Sequence, residues 1–170
     1  MLLVTGFGPF GDIIDNPSAR VARAIEGWRV RGETVVTRVL PVSYARAPAE
    51  VIALATYLRP RLVLGLGVAA TRSGVEVERR GLRAGGEAVD VDGLGWEPGA
   101  GPDVLASTLD VAKLAGALGA EESDHAGAYV CNAWLYEVTR ALSVPVGFVH
   151  VPLAGIEPPR LAAGLATLLA

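Results

Sequence analysis

Leu2-Leu3-Val4-Thr5-Gly6-Phe7-Gly8-Pro9-Phe10-Gly11 decides the fold class: a short apolar run passes directly into a glycine- and proline-rich turn signal. Such a run, apolar throughout instead of alternating, predicts a strand buried on both faces and followed by a long loop. Downstream, Asn16-Pro17-Ser18 supplies a polar cap with proline at the first helical position, and Val21, Ala24 and Ile25 form an apolar stripe that ends near Gly27. Residues 34–42, rich in β-branched side chains, predict a second strand. Residues 43–58 predict a helix, because Val51, Ile52, Ala55 and Leu58 recur on one face, and residues 62–66 a third buried strand. Val75, Val77 and Leu82 mark a fourth strand, followed over residues 83–101 by a glycine-rich loop or small hairpin that is the one candidate for a mobile segment. Residues 103–118 and 131–142 predict helices, residues 146–150 a strand and residues 159–169 a terminal helix. Strands alternating with helices imply a three-layer α/β/α sandwich around a mostly parallel, twisted sheet, within one domain over residues 1–170.

Composition narrows the chemistry. At 170 residues and 51% hydrophobic content the chain can bury a core on two faces of a sheet. A formal charge of −3 provides no basic field for a phosphate backbone, so no nucleic acid partner is expected. A single cysteine cannot close an internal disulfide, which points to a reducing, cytoplasmic setting. The first residues lack a charged region ahead of a longer apolar run, and no apolar segment approaches the roughly 20 residues of a membrane crossing. A soluble protein without a membrane partner is expected.

Gly6, Gly8 and Gly11 satisfy the G-x-G-x-x-G spacing of a dinucleotide loop. The context does not fit. Four residues, Asp12-Ile13-Ile14-Asp15, intervene before the cap at Asn16, Pro9 and Phe10 add bulk where phosphates need bare backbone, and two aspartates would repel them. Phe7 and Phe10, on a loop at the carboxyl end of a strand, instead suggest an apolar pocket for a small neutral group.

The reactive candidates lie late in the chain. Residues 123–132 run from small polar residues into a helix whose first turn contains Cys131. There the unpaired N–H groups and the dipole would favour thiolate and could hold an oxyanion, although a lone cysteine is ordinarily a buried filler. His150 ends the apolar run Val146-Gly147-Phe148-Val149, which places it at the carboxyl edge of a strand, where open α/β sheets bind their ligands. His125 lies in a small-residue loop, where a solvated or structural role serves equally well. A carboxylate fixing the imidazole could be Glu76 or Glu78, two residues apart on one face, and spacing does not choose between them.

Three segments together resemble the pyroglutamyl peptidase I family, the pyrrolidone-carboxylate peptidases. Residues 3–11 with Asn16-Pro17-Ser18 look like the family's opening strand, pocket loop and first helix. Ser123, Ala126-Gly127, Tyr129, Cys131-Asn132 and Tyr136 look like its nucleophile signature, and residues 147–152 like its histidine strand. Gly67, Arg72, Val77 and Glu78-Arg79 resemble the segment carrying the acidic member, which selects Glu78 over Glu76. The resemblance implies a catalytic triad of Cys131, His150 and Glu78 that removes N-terminal pyroglutamate from peptides, with no metal and no cofactor, in a homo-oligomer, dimer or tetramer. By the same resemblance Phe7, Phe10, Tyr129 and Val130 embrace the lactam ring, Asn16 braces the loop and Val68 offers its backbone to the ring amide. The chain departs from the family after Glu78-Arg79: Arg83 replaces an asparagine, and Ala84-Gly85-Gly86-Glu87-Ala88-Val89-Asp90 lacks the arginine that members carry near the active site. A shortened, rewritten wall leaves open an alternative, a divergent member acting on another N-acyl amide.

Overall fold

The computed structural model describes residues 1–169. Nine strands and five helices occur among them: β1 (Leu2–Phe7), α1 (Pro17–Ala24), β2 (Arg29–Val30), β3 (Glu33–Leu40), α2 (Arg46–Leu58), β4 (Val63–Val68), β5 (Glu76–Glu78), β6 (Arg80–Leu82), β7 (Val104–Ala106), α3 (Val111–Leu118), β8 (Glu121–Ser123), α4 (Val130–Ala141), β9 (Val146–Val151) and α5 (Pro158–Leu168). Seven strands form one sheet in the order β2-β3-β1-β4-β9-β5-β8, and β6 and β7 form a separate ribbon. The central pairings β3·β1, β1·β4 and β4·β9 are parallel, while β5 runs antiparallel to β9 and β2 antiparallel to β3. The sheet is therefore mostly parallel, as the unbroken apolar runs require.

Alternation along each strand sorts the side chains into two cores. Leu2, Val4, Leu64, Leu66, Val149 and Val151 pack with Val21, Ile25, Leu114, Leu118, Leu161 and Leu165 from α1, α3 and α5. Leu3, Phe7, Val63, Val146 and Phe148 pack instead with Val51, Ala55, Val130, Trp134 and Val138 from α2 and α4. Helices on both faces complete the three layers.

Two glycines set how closely α4 approaches. Gly65 and Gly67 alternate with Leu64 and Leu66, so they belong to the α4 face. A Cβ on Gly65 would stand 2.8 Å from the Trp134 ring and 2.5 Å from Phe148, and one on Gly67 would stand 2.7 Å from Cys131 Sγ. Cys131 and Trp134 are one helical turn apart, and the two bare positions of β4 receive them in succession.

Three local expectations are corrected. Residues 103–118 are not one helix: Val104–Ala106 pairs with β6, and the helix begins at Val111 because Asp110 caps it, its side chain accepting from Lys113 N at 3.0 Å. The fourth strand is two, since β5 joins the main sheet while β6 turns away into the ribbon, where the bare Cα of Gly81 meets the Tyr136 backbone of α4. Strands β2 and β8 carry no apolar pattern, Glu121-Glu122-Ser123 being charged and polar, and were not expected. Residues 83–101 form an irregular loop, one of the two forms expected for them.

Candidate active site

The parallel strands β1, β4 and β9 end on the same edge of the sheet, and α4 begins there. A cavity of about 340 Å³ opens at this edge, lined by Phe7, Phe10, Asn16, Val68, Arg72, Tyr129, Val130, Cys131 and His150 among others. Eight of the nine residues selected from sequence line it, and the ninth, Glu78, lies directly behind His150.

Each is placed by a specific local cause. Asn16 caps α1: its Oδ1 accepts from Ser18 N at 3.0 Å and from Ser18 Oγ at 2.8 Å, while its Nδ2 donates to Gly8 O at 3.0 Å. The cap thereby ties the loop bearing Phe10 to the helix. A Cβ at Gly6 would meet Ser18 O at 2.4 Å, so the glycine loop is filled by α1 and leaves no cradle for phosphate. Tyr129, the residue before α4, is extended and caps it with no side chain. Its ring stands 6.1 Å from Phe10 and 5.6 Å, edge-on, from Tyr44, and its hydroxyl donates to Val89 O at 3.1 Å.

His150 is buried at the end of β9, in register with Gly67 on β4 and Glu76 on β5. Its Nδ1 lies 2.6 Å from Glu78 Oε1, which leaves Nε2 for the cavity. Glu78 is fully buried. Burial alone would push its carboxyl up, but His150, the Ser123 hydroxyl and Arg72 together hold it below the usual carboxylate range. Glu76, the other carboxylate left open by spacing, pairs with Arg72 and does not reach His150.

Opposed influences act on Cys131. The helix terminus favours thiolate, and the residue's own backbone N–H and Arg72 act in that direction. Burial outweighs them, and with the added charge of Glu78 pushes the thiol up to about 12. Cys131, only partly buried by solvent accessibility, is thereby held above the ordinary proton affinity of a thiol, because desolvation of the anion opposes what one helix terminus returns.

Sequence reasoning missed several contributors. The fully buried Asn132 accepts from Leu82 N and donates to the carbonyls of Leu82 and Ala84, so the residue after Cys131 anchors the start of the rewritten wall. Asp90, buried in that wall, accepts from the backbone N–H groups of Tyr44, Asp92 and Leu94. Gly86 N donates to Ala128 O at 2.9 Å, and Trp96 stacks on Tyr44, so the segment is fastened at both ends. Arg83 turns away to Asp103 and does not line the cavity. Its neighbours in sequence carried no periodic signal; only the run Glu87-Ala88-Val89-Asp90, an acid beside apolar residues, hinted at a buried turn.

Among the described residues no group of three or more His, Cys, Asp or Glu side chains is arranged to hold a metal ion. Nor is any helix long and apolar enough to cross a membrane.

Comparison with known proteins agrees with this geometry. The family model for pyroglutamyl peptidase matches residues 1–157. The chain is 32% identical over 166 residues to the pyrrolidone-carboxylate peptidase of Klebsiella pneumoniae, covering 89% of this chain and 77% of that one. It is 33% identical over 179 residues to that of Coprothermobacter proteolyticus, covering 94% and 86%. A mutant pyrrolidone carboxyl peptidase from Pyrococcus furiosus superposes with a TM-score of 0.87 at 26% identity, covering 99% of this chain and 97% of that one. The enzyme from Thermococcus litoralis gives 0.88 at 26% identity, covering 99% and 92%. With the sheet, the cavity and the family pattern in agreement over nearly its whole length, the chain belongs to the pyroglutamyl peptidase family, as a cysteine peptidase of the pyroglutamyl peptidase I type.

Proposed function

We propose that the chain removes N-terminal pyroglutamate from peptides by a thioester mechanism in which Cys131 is the nucleophile, His150 the acid/base and Glu78 the group that orients the imidazole. One observation carries the reading: Cys131 and His150 line the same largely apolar cavity, and Glu78 Oε1 lies 2.6 Å from His150 Nδ1.

Because the thiol rests neutral, His150 Nε2 takes its proton as sulfur attacks the carbonyl that joins pyroglutamate to the next residue. The tetrahedral oxyanion is held by backbone N–H groups of the first turn of α4, which no side chain caps. The C–N bond then breaks, and His150 returns the proton to the departing amine. A water enters, gives a proton to the same nitrogen and attacks the thioester; free pyroglutamate leaves and the thiol is restored. Glu78, ionised, holds the ring in one tautomer and stabilises its charged form during both steps.

The lactam carries no charge. Walls of Phe7, Phe10, Tyr129 and Val130, with backbone groups such as those of Val68 for the ring amide, suit it, whereas a charged amino terminus would lose its hydration without a partner. Residues 1–170 act as one catalytic domain on this reading. A homo-oligomer, dimer or tetramer, in the cytoplasm is part of the same proposal: exposed Ile14, Tyr57, Val89 and Leu94 offer apolar surface to a second copy, and the single cysteine requires no oxidising compartment. Light scattering after size exclusion measures the assembly.

The test is turnover of a pyroglutamyl chromogenic amide beside the matching acetyl and unblocked amides. Preferential cleavage of the pyroglutamyl substrate, lost in Cys131→Ala, is expected. Preference for the acetyl amide would assign the rewritten wall of residues 83–101 to another N-acyl group, and full activity in Cys131→Ala would refute the scheme.

A further inference from the structure

Arg72 follows β4 in the turn leading to β5, and its side chain, about one-fifth exposed, lines the cavity. Its guanidinium meets three acceptors. Nη1 stands 2.6 Å from Glu78 Oε1 and 2.6 Å from Glu76 Oε2, and Nη2 donates to His125 O at 2.7 Å. Glu78 Oε1 is thus shared between Arg72 and His150, each at 2.6 Å, while the buried Oε2 has no partner in hydrogen-bonding geometry, the Ser123 hydroxyl nearby donating to His125 O at 3.3 Å instead. The orientation of this carboxylate rests on one oxygen held from two sides. The third contact matters as well, because His125 belongs to the loop that leads into α4 and Cys131.

Two further carboxylates near this site, Glu122 and Asp124, are already engaged. Glu76 and Glu78 come from β5 and His150 from β9; β8 presents Glu121 and Glu122, the loop after it Asp124 and His125, and α4 presents Cys131 with Tyr129 at its start. Glu122 and Asp124 are paired with Arg79, and Arg80 also reaches Asp124. Among the described residues Arg72 is the arginine within ion-pair distance of Glu78.

We infer that Arg72 is a positioning residue of the reaction: it holds Glu78 against His150, and its charge offsets the field that Glu78 casts on the Cys131 sulfur. This takes its purpose from the thiol-peptidase reading above. The electrostatics agree in sign, since Glu78 raises the proton affinity of the Cys131 thiol and Arg72 lowers it. A guanidinium suits the task where an ammonium would not, because its planar fork reaches separate acceptors at once.

The test is the rate of Cys131 alkylation by iodoacetamide as a function of pH, read by mass spectrometry on the single cysteine, alongside kcat/KM for a pyroglutamyl amide. Arg72→Met should move the acid limb of both profiles toward alkaline pH by about one unit, with alkylation near neutrality about tenfold slower. Glu76→Gln leaves the guanidinium to Glu78 and the thiol alone, and should move the limb the opposite way. Arg72→Lys keeps the charge and loses the fork, so the limb stays near that of the unmodified protein while kcat falls. Limbs unmoved in Arg72→Met and Glu76→Gln, or an Arg72→Met rate lowered equally at every pH, would overturn the inference. Should Arg72→Met not fold, an unmoved limb in Glu76→Gln overturns it by itself. Alkylation needs no peptide, so displaced limbs without pyroglutamyl turnover would fault the substrate assignment and leave the role of Arg72 standing.

Discussion

Gly67 and Cys131 are in contact through an absence: a Cβ on Gly67 would lie 2.7 Å from Cys131 Sγ, so the sulfur rests against bare backbone of β4. The strand register puts His150 directly beside Gly67, so the sulfur packs against a bare position next to the residue that carries the imidazole.

Gly67→Ala is accordingly expected to displace the sulfur. The added methyl also meets the Phe148 ring at 2.8 Å, so a destabilisation of about 1–3 kcal/mol from overpacking should accompany the change. With Cys131 as the proposed nucleophile, a shift on this scale should lower kcat/KM on the order of 100-fold. Chemical denaturation and steady-state kinetics check both, and an alanine variant of normal activity would mean that the sulfur does not act from this position.

Cys131 links burial to alkaline stability. Its folded-state proton affinity is raised, to about 12 against an ordinary value of 9.0, so the neutral thiol stabilises the fold below pH 9 and that contribution is lost as pH rises toward 12. The urea midpoint of the unmodified protein should fall over this window. In Cys131→Ala it should fall less, by an amount on the order of a few kcal/mol at the alkaline end. Parallel curves for the two proteins would show that solvent in the cavity reaches the partly buried thiol and relieves its desolvation.

Glu78 acts at the other end of the scale. Its folded-state affinity for protons is lowered, so it contributes stability above the unfolded carboxylate range that is lost as pH falls through the folded value. Glu78→Gln should flatten the loss of stability on acidification below about pH 4.5, and reduce kcat by roughly 100- to 10,000-fold through loss of the orienting charge. Thermal melts between pH 6 and pH 3, with turnover at pH 7.5, measure the two effects.

Asn16 joins a helix cap to a pocket loop. Asn16→Ala removes the acceptor for Ser18 N and the donor to Gly8 O, at a cost of about 1–2 kcal/mol. Because Phe10 then loses its tether, KM for the pyroglutamyl substrate should rise more than kcat falls. A change in stability alone, with KM unaltered, would make the cap structural and no more.

The sequence by itself determined the layered α/β class, since runs such as residues 62–66 and 146–149 are apolar at every position and only a sheet covered on both faces buries them. It also determined the cap at Asn16, because capping and proline preferences are local, and the entry of α4 close to Cys131, where small polar residues give way to an apolar helical run. Spacing did not separate Glu76 from Glu78, and family resemblance was needed to choose. Only the tertiary structure decided what joins across the chain: the 2.6 Å approach of Glu78 to His150, 72 residues apart, the two short strands β2 and β8 whose residues carry no periodic pattern, and the anchoring of residues 83–101 by Asn132, Asp90 and Trp96. It likewise decided the direction in which the Cys131 thiol is shifted. A helix terminus is legible in local sequence and favours thiolate; burial is a property of the whole fold, and here it prevails.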